Sequence, residues 1–199
     1  MARTSPPRLI DRRIGLLGGS FNPAHAGHVH VSLEALKRLD LDAVWWLVSP
    51  QNPLKAADGM AGLAQRLAGA RAITAMHKRL RVTDLERVLG TRYTIDTVRA
   101  LRRYHPKARF VWLMGADNLR QLPRWKGWAA LVESIPIAVI DRPGFAPAAL
   151  SGAPARRYAK ARLAPEAARS LADRAAPAWT FFYARLNPLS ATAIRNHKT

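Results

Sequence analysis

The chain contains no cysteine. Disulfides, thiolate metal sites and a cysteine nucleophile are therefore excluded. Acidic residues are scarce: 13 Asp and Glu stand against 32 Lys and Arg, a formal net charge of +19. No apolar run approaches the roughly 20 residues needed to span a bilayer as a helix. The segment before Ile14 carries arginines and prolines but lacks the apolar stretch of a secretory signal. A soluble, cytoplasmic protein without a membrane partner is the expectation. No internal repeat is evident. No Ser-His-Asp set or pair of carboxylates suggests hydrolytic acid–base chemistry.

What remains is ample for one globular unit. The 199 residues are 49% hydrophobic, enough for one sizeable core. The expectation is a flexible tail over residues 1–12 and a single domain over 13–199. The positive charge attracts anions such as nucleotides or nucleic acid. Arginine far outnumbers lysine, and its planar fork suits phosphate. The arginines are scattered rather than grouped in a block, so charge alone names no ligand.

Strand and helix signals alternate along the chain. Residues 14–17 read as a first strand and 27–39 as a helix with Val29, Leu33, Leu36 and Leu39 on one face. Residues 43–48 form a near-continuous apolar run, the mark of a strand covered on both sides. A helix over 63–76, a strand over 80–83, a helix over 94–104 and strands over 109–114 and 135–140 follow. The Ala-, Arg- and Pro-rich stretch 146–178 leaves two readings open, an alanine-rich helix over 165–175 or a surface excursion, and a last strand over 179–183 completes the pattern. This alternation predicts an α/β fold: a Rossmann-like, open, mostly parallel sheet with helices on both faces. Ligands of such sheets sit outside the carboxyl ends of the strands.

The densest chemical signal lies at that position after the first strand. Gly18-Gly19-Ser20-Phe21-Asn22-Pro23-Ala24-His25-Ala26-Gly27-His28 runs from strand to helix. Backbone N–H groups and the positive end of a helix converge on an anion at such a junction. Two histidines three apart add side-chain donors. The glycine spacing is neither that of dinucleotide-binding folds nor that of P-loops. A zinc site from His25, His28 and His30 lacks any further ligand pattern, so no metal ligand is assigned. Near the other end, Ser190-Ala191-Thr192-Ala193-Ile194-Arg195 places hydroxyls and a guanidinium at a predicted helix start, a second phosphate-binding pattern.

Together these stretches resemble the nucleotidyltransferase superfamily marked by His-x-Gly-His and Ser-x-Thr-x-x-Arg signatures. Intermediate stretches narrow the likeness: Ser49-Pro50-Gln51-Asn52-Pro53-Leu54-Lys55, Arg92-Tyr93-Thr94, Gly115-Ala116-Asp117 and Pro123-Arg124-Trp125-Lys126-Gly127-Trp128. The series, from about Arg13 to Arg195, is similar to bacterial nicotinate-nucleotide adenylyltransferases. The resemblance implies adenylyl transfer from ATP, with Mg²⁺, to nicotinate mononucleotide. It implies catalytic roles for His25, His28 and Arg195. It implies ATP contacts from Gly18, Gly19, Ser20, Phe21, Ser190, Thr192 and Arg195. It implies contacts with the acceptor from Lys55, Thr94, Asp117 and Trp125. Taken singly, Lys55, Tyr93 and Trp128 read as a loop charge, a helix start and a core residue.

The chain departs from the family pattern in places. Leu54 stands where many members have histidine, which leaves Lys55 as the contact there. Asn22 stands where many have aspartate. Few residues follow Arg195, so a further C-terminal helix is expected to be absent. A sister enzyme acting on nicotinamide mononucleotide or phosphopantetheine is the nearest alternative. A nucleic-acid-binding protein is the more distant one, motivated by charge. It lacks a basic helix and leaves both phosphate motifs without purpose. A homo-oligomer is left open.

Overall fold

The computed structural model describes residues 12–50, 60–141 and 146–183. In chain order the elements are β1 (Arg13–Gly19), α1 (Ala26–Arg38), β2 (Ala43–Val48), α2 (Leu63–Thr74), β3 (Leu80–Thr83), α3 (Leu85–Leu89), α4 (Thr94–Tyr104), β4 (Arg109–Gly115), α5 (Ala116–Gln121), α6 (Trp128–Val132), β5 (Ile137–Ile140), α7 (Ala146–Leu150), α8 (Ala153–Arg157), β6 (Arg162–Leu163) and β7 (Trp179–Phe182). The strands form one seven-stranded sheet in the order β3-β2-β1-β4-β5-β7-β6. Every neighbouring pair is parallel. The strand order reverses between β1 and β4, which opens a crevice at their carboxyl ends.

The two-residue period of the strands divides the core in two. Ile14, Leu16, Trp45, Leu47, Phe110, Trp112, Ile137 and Val139 face one side, where α4 adds Ile95, Val98 and Leu101. Leu17, Val44, Trp46, Val111, Leu113, Ala138 and Phe182 face the other, where α1 adds Val31, Ala35 and Leu36. Both faces are covered, which is why β2 and β4 read as continuous apolar runs. Helix α4 carries Asp96 in its first turn and Arg102 and Arg103 in its last, matching its dipole. It stops before Pro106, whose ring disfavours helical geometry in the preceding residue.

The buried stripe of α1 differs from the expected one. Leu33 is 40% exposed, whereas Ser32 and Ala35 are wholly buried. Small residues let α1 approach the sheet closely. The Ser32 hydroxyl donates to the carbonyl of His28 at 2.8 Å and accepts from the Trp46 indole N–H at 2.8 Å. The expected helix over 165–175 is a 3₁₀ helix, Pro165–Asp173, with Ala168, Leu171 and Ala172 buried. The two-residue β6 on the sheet edge and the five-residue helices α3, α6, α7 and α8 are too short for periodicity to reveal.

At the opposite end of the sheet from the crevice, Asp173 ties two strands together. Its carboxylate accepts from Arg13 of β1 at 2.9 Å and Arg109 of β4 at 2.5 Å. Asp42 adds a hydrogen bond from the backbone N–H of Arg13 at 2.8 Å. These contacts clamp the amino ends of the two strands whose carboxyl ends form the crevice.

Candidate active site

The turn after β1 is built from both histidines. His25 occupies the N-cap of α1 in extended geometry, and its Nδ1 accepts from the backbone N–H of Gly27 at 3.1 Å. His28 returns the contact: its Nδ1 accepts from the backbone N–H of His25 at 3.3 Å. The pair forms a reciprocal capping box, a role commonly filled by Ser or Thr with Glu. The two rings lie 3.9 Å apart between centroids. An Nδ1 that accepts a hydrogen bond carries no proton. Each neutral ring therefore bears its proton on Nε2. Capping thus fixes the tautomer of both rings at the positive end of a helix.

Phe21 supports this arrangement from below. Its φ of +47° is the left-handed region that a bulky residue rarely enters. The ring is 2% exposed. It stacks on Trp46 at 4.8 Å and contacts His28 at 4.8 Å. Aromatic packing offsets the backbone cost, about 1–2 kcal/mol. Asn22 Oδ1 accepts from the backbone N–H of Ala61 at 3.3 Å, so its side-chain amide ties the turn to the segment before α2.

Gly18 has a packing reason beside its phosphate reading. A Cβ there would lie 2.6 Å from Cη2 of Trp112, a fully buried residue of β4. Trp112 meets Trp125 edge to face at 6.3 Å. One indole thus joins the phosphate turn to the Trp125 segment. Gly127, at φ +65°, lies with its Cβ position 3.3 Å from the Ile95 side chain. Lys126 Nζ sits 4.3 Å above the ring of Tyr93. These contacts bring Trp125 beside the first turn of α4, where Thr94 is the first helical residue. Trp125 is half-buried. Trp128 is half-buried too, packed against the core and against Tyr158.

Asp117 lies in the first turn of α5, directly after β4 and so across the crevice from the turn after β1. An acidic side chain there is favoured by the helix dipole. The described residues therefore bring together Gly18, Gly19, Ser20, Phe21, His25 and His28 with Thr94, Asp117 and Trp125 around the carboxyl ends of β1 and β4. Lys55, Ser190, Thr192 and Arg195 lie outside the described residues.

The structure also reveals groups that the sequence did not single out. Arg66 of α2 is 4% exposed and reaches under the phosphate turn. Burial lowers the pKa of its guanidinium, yet the ordinary value lies so far above neutrality that the charge persists. Glu86 of α3 is 6% exposed. Burial pushes its carboxyl pKa up, opposed by a hydrogen bond from the Ser49 side chain. A lone arginine in α2 reads as a helical surface residue and a glutamate in the five-residue α3 has no periodic context, so neither was legible beforehand.

Fold and site define a nucleotidyltransferase: an open parallel sheet with a histidine-capped helix at its switch point. A family profile described as cytidylyltransferase-like matches residues 16–197. The sequence is 53% identical to a protein of Bradyrhizobium sp. (strain ORS 278) named as a probable nicotinate-nucleotide adenylyltransferase, over 92% of this chain and 95% of that one. A protein of the same name from Caulobacter sp. (strain K31) is 50% identical over 94% of this chain and 98% of that one. The chain belongs to the nicotinate-nucleotide adenylyltransferase family of cytidylyltransferase-like proteins. Its fold is that of the Plasmodium falciparum nicotinic acid mononucleotide adenylyltransferase complexed with NaAD. The TM-score is 0.67 at 17% identity, covering 93% of this chain and 83% of that one.

Proposed function

We propose that this chain transfers the adenylyl group of ATP to nicotinate mononucleotide, releasing pyrophosphate and forming deamido-NAD for NAD biosynthesis. The observation that carries this reading is the reciprocal histidine cap at the switch point of a parallel sheet, in a chain of this family. A phosphate oxygen of nicotinate mononucleotide attacks the α-phosphorus of ATP. The bond from that phosphorus to the oxygen bridging to the β-phosphate breaks, and pyrophosphate leaves with that oxygen. The nucleophile is already anionic, so no strong general base is needed. The requirement is to align two polyanions that repel each other and to stabilise charge in transit.

The described geometry supports the roles of the turn after β1, Thr94, Asp117 and Trp125, and the family resemblance supplies those of Lys55, Ser190, Thr192 and Arg195. The Nε2–H groups of His25 and His28 donate to ATP phosphates, His28 to the α-phosphate. Gly18, Gly19, Ser20 and Phe21 offer backbone contacts to the nucleotide. Ser190, Thr192 and Arg195 hold the β- and γ-phosphates and stabilise departing pyrophosphate. The pyridine ring stacks on Trp125, and its carboxylate meets backbone N–H groups near Thr94 and Trp125. Asp117 holds a ribose hydroxyl or orders the loops beside it. Lys55 adds a cation on the acceptor side.

Among the described residues no group of three His, Asp or Glu side chains is placed to hold a metal. The turn's donors are N–H groups, which suit phosphate oxygens, whereas Mg²⁺ takes oxygen ligands. In this reading magnesium arrives with the substrate, carried on the ATP phosphates, where it neutralises charge. Among the described residues no helix is long and apolar enough to cross a membrane. A cytoplasmic setting is part of the same proposal.

ATP labelled at the α-phosphorus tests the reading. The label should appear in a dinucleotide when nicotinate mononucleotide is present, and label at the γ-phosphorus should leave as pyrophosphate. Label recovered only in AMP would contradict it. His28→Ala should lower turnover by orders of magnitude with the fold intact.

A further inference from the structure

We infer that Arg66 is a positioning residue for nucleotide binding: its buried guanidinium locks the phosphate turn after β1 to the segments flanking it. This rests on the adenylyl-transfer reading and extends it to a residue outside the signature motifs. Arg66 Nη1 donates to the carbonyl of Ser20 at 2.7 Å and to that of Ser49 at 2.7 Å. Its Nη2 donates to the carbonyl of Pro50 at 2.9 Å, and its Nε to that of Ala61 at 2.8 Å. One planar fork thus fastens the carboxyl end of β1, the carboxyl end of β2 and the segment before α2. Lysine lacks this reach because its donors radiate from a single nitrogen.

The contact with Ser20 has a directional consequence. A trans peptide holds its C=O and the following N–H on opposite edges of one plane. With the Ser20 carbonyl turned into Arg66, the N–H of Phe21 faces the other way. The left-handed φ of Phe21 and its stacking on Trp46 then set the course of the chain into the histidine cap. Ser49 is braced a second time. Its N–H donates to the carbonyl of Gly19 at 2.9 Å, and its side chain bonds to Glu86. The turn is therefore held by a buried cation from one side and by a buried carboxyl, through Ser49, from another. The guanidinium is desolvated, and the acceptors that offset this cost are backbone carbonyls of the turn and its flanking segments. A charge kept there at a cost, beneath a turn read as a polyanion site, fits a role in binding that polyanion.

Arg66→Met and Arg66→Lys test this, with Asp173→Asn as a control that loosens the sheet's other end. MgATP affinity is read by calorimetry, kcat and KM by pyrophosphate release, and folding by circular dichroism. Arg66→Met should weaken MgATP about tenfold and lower kcat about a hundredfold, with KM for nicotinate mononucleotide changed less than about threefold. Arg66→Lys should fall between Arg66→Met and the native chain. If Arg66→Met does not fold, Arg66→Lys decides: a clear loss of MgATP affinity at native ellipticity supports the role. Native MgATP affinity and kcat in the folded variants, or losses no larger than those of Asp173→Asn, would overturn it. If the native chain makes no dinucleotide, the functional reading fails, while the MgATP affinities still decide the role of Arg66.

Discussion

His25 makes a capping contact and has a proposed donor role, which substitution can separate. Its Nδ1 caps α1 by accepting from Gly27, and the same bond places the proton of the neutral ring on Nε2, the proposed donor to ATP. His25→Ala removes both functions. Losing an N-cap acceptor costs about 1 kcal/mol, with a range of roughly 0.5–2. In a domain of this size each kcal/mol shifts Tm by about 2–4 °C. His25→Ala should therefore lower Tm by about 1–8 °C. His25→Asn keeps a side-chain oxygen for the Gly27 N–H and should hold Tm within about 2 °C of native. Both variants lack the Nε2–H donor. A preorganised donor to a charged transition state is worth about 10²–10³ in kcat. Both should fall by that factor despite their different stabilities. Thermal unfolding by circular dichroism and initial rates of pyrophosphate release measure the two quantities. Native turnover in His25→Asn would refute the donor role. Equal Tm for Ala and Asn would refute the capping role.

Gly18→Ala would drive a methyl group to 2.6 Å from the Trp112 ring. Overpacking of this kind costs about 1–3 kcal/mol, and a denaturant titration should show a lower midpoint. Glu86 has a pKa raised by burial, so its contribution to stability is present below the ordinary glutamate value and is lost as pH rises through the folded-state value. Glu86→Gln retains an acceptor for Ser49 and should flatten the fall of Tm with rising pH above that ordinary value. An unchanged slope would contradict the desolvation. Asp173→Asn removes ion pairs to Arg13 and Arg109 at a site about one-third exposed. Solvent screening limits the loss to about 1 kcal/mol, which should shrink in high salt and leave kcat unchanged.

The strand–turn–helix junction was legible because all its information is local: a short apolar run, small residues at the turn and histidines at the helix start. The strongly apolar β2 likewise declared a doubly covered sheet, and the family resemblance carried the function. Other features depend on tertiary context. Large side chains suggested Leu33 for the buried face of α1, whereas Ser32 and Ala35 occupy it because their small size permits close approach. The alanine-rich segment from Pro165 adopts 3₁₀ geometry to bury Ala168 and Leu171 on the sheet. Arg66 reads as an ordinary helical surface arginine until the loops it holds are seen around it. Trp112 reads as a strand core residue, and only the fold shows it bridging Gly18 and Trp125.

Pyrophosphate release from ATP and Mg²⁺, compared between nicotinate and nicotinamide mononucleotide, tests the central claim most directly. The account predicts rapid release with the nicotinate form and a strong preference for it. Release with only the nicotinamide form, or with neither, would contradict it.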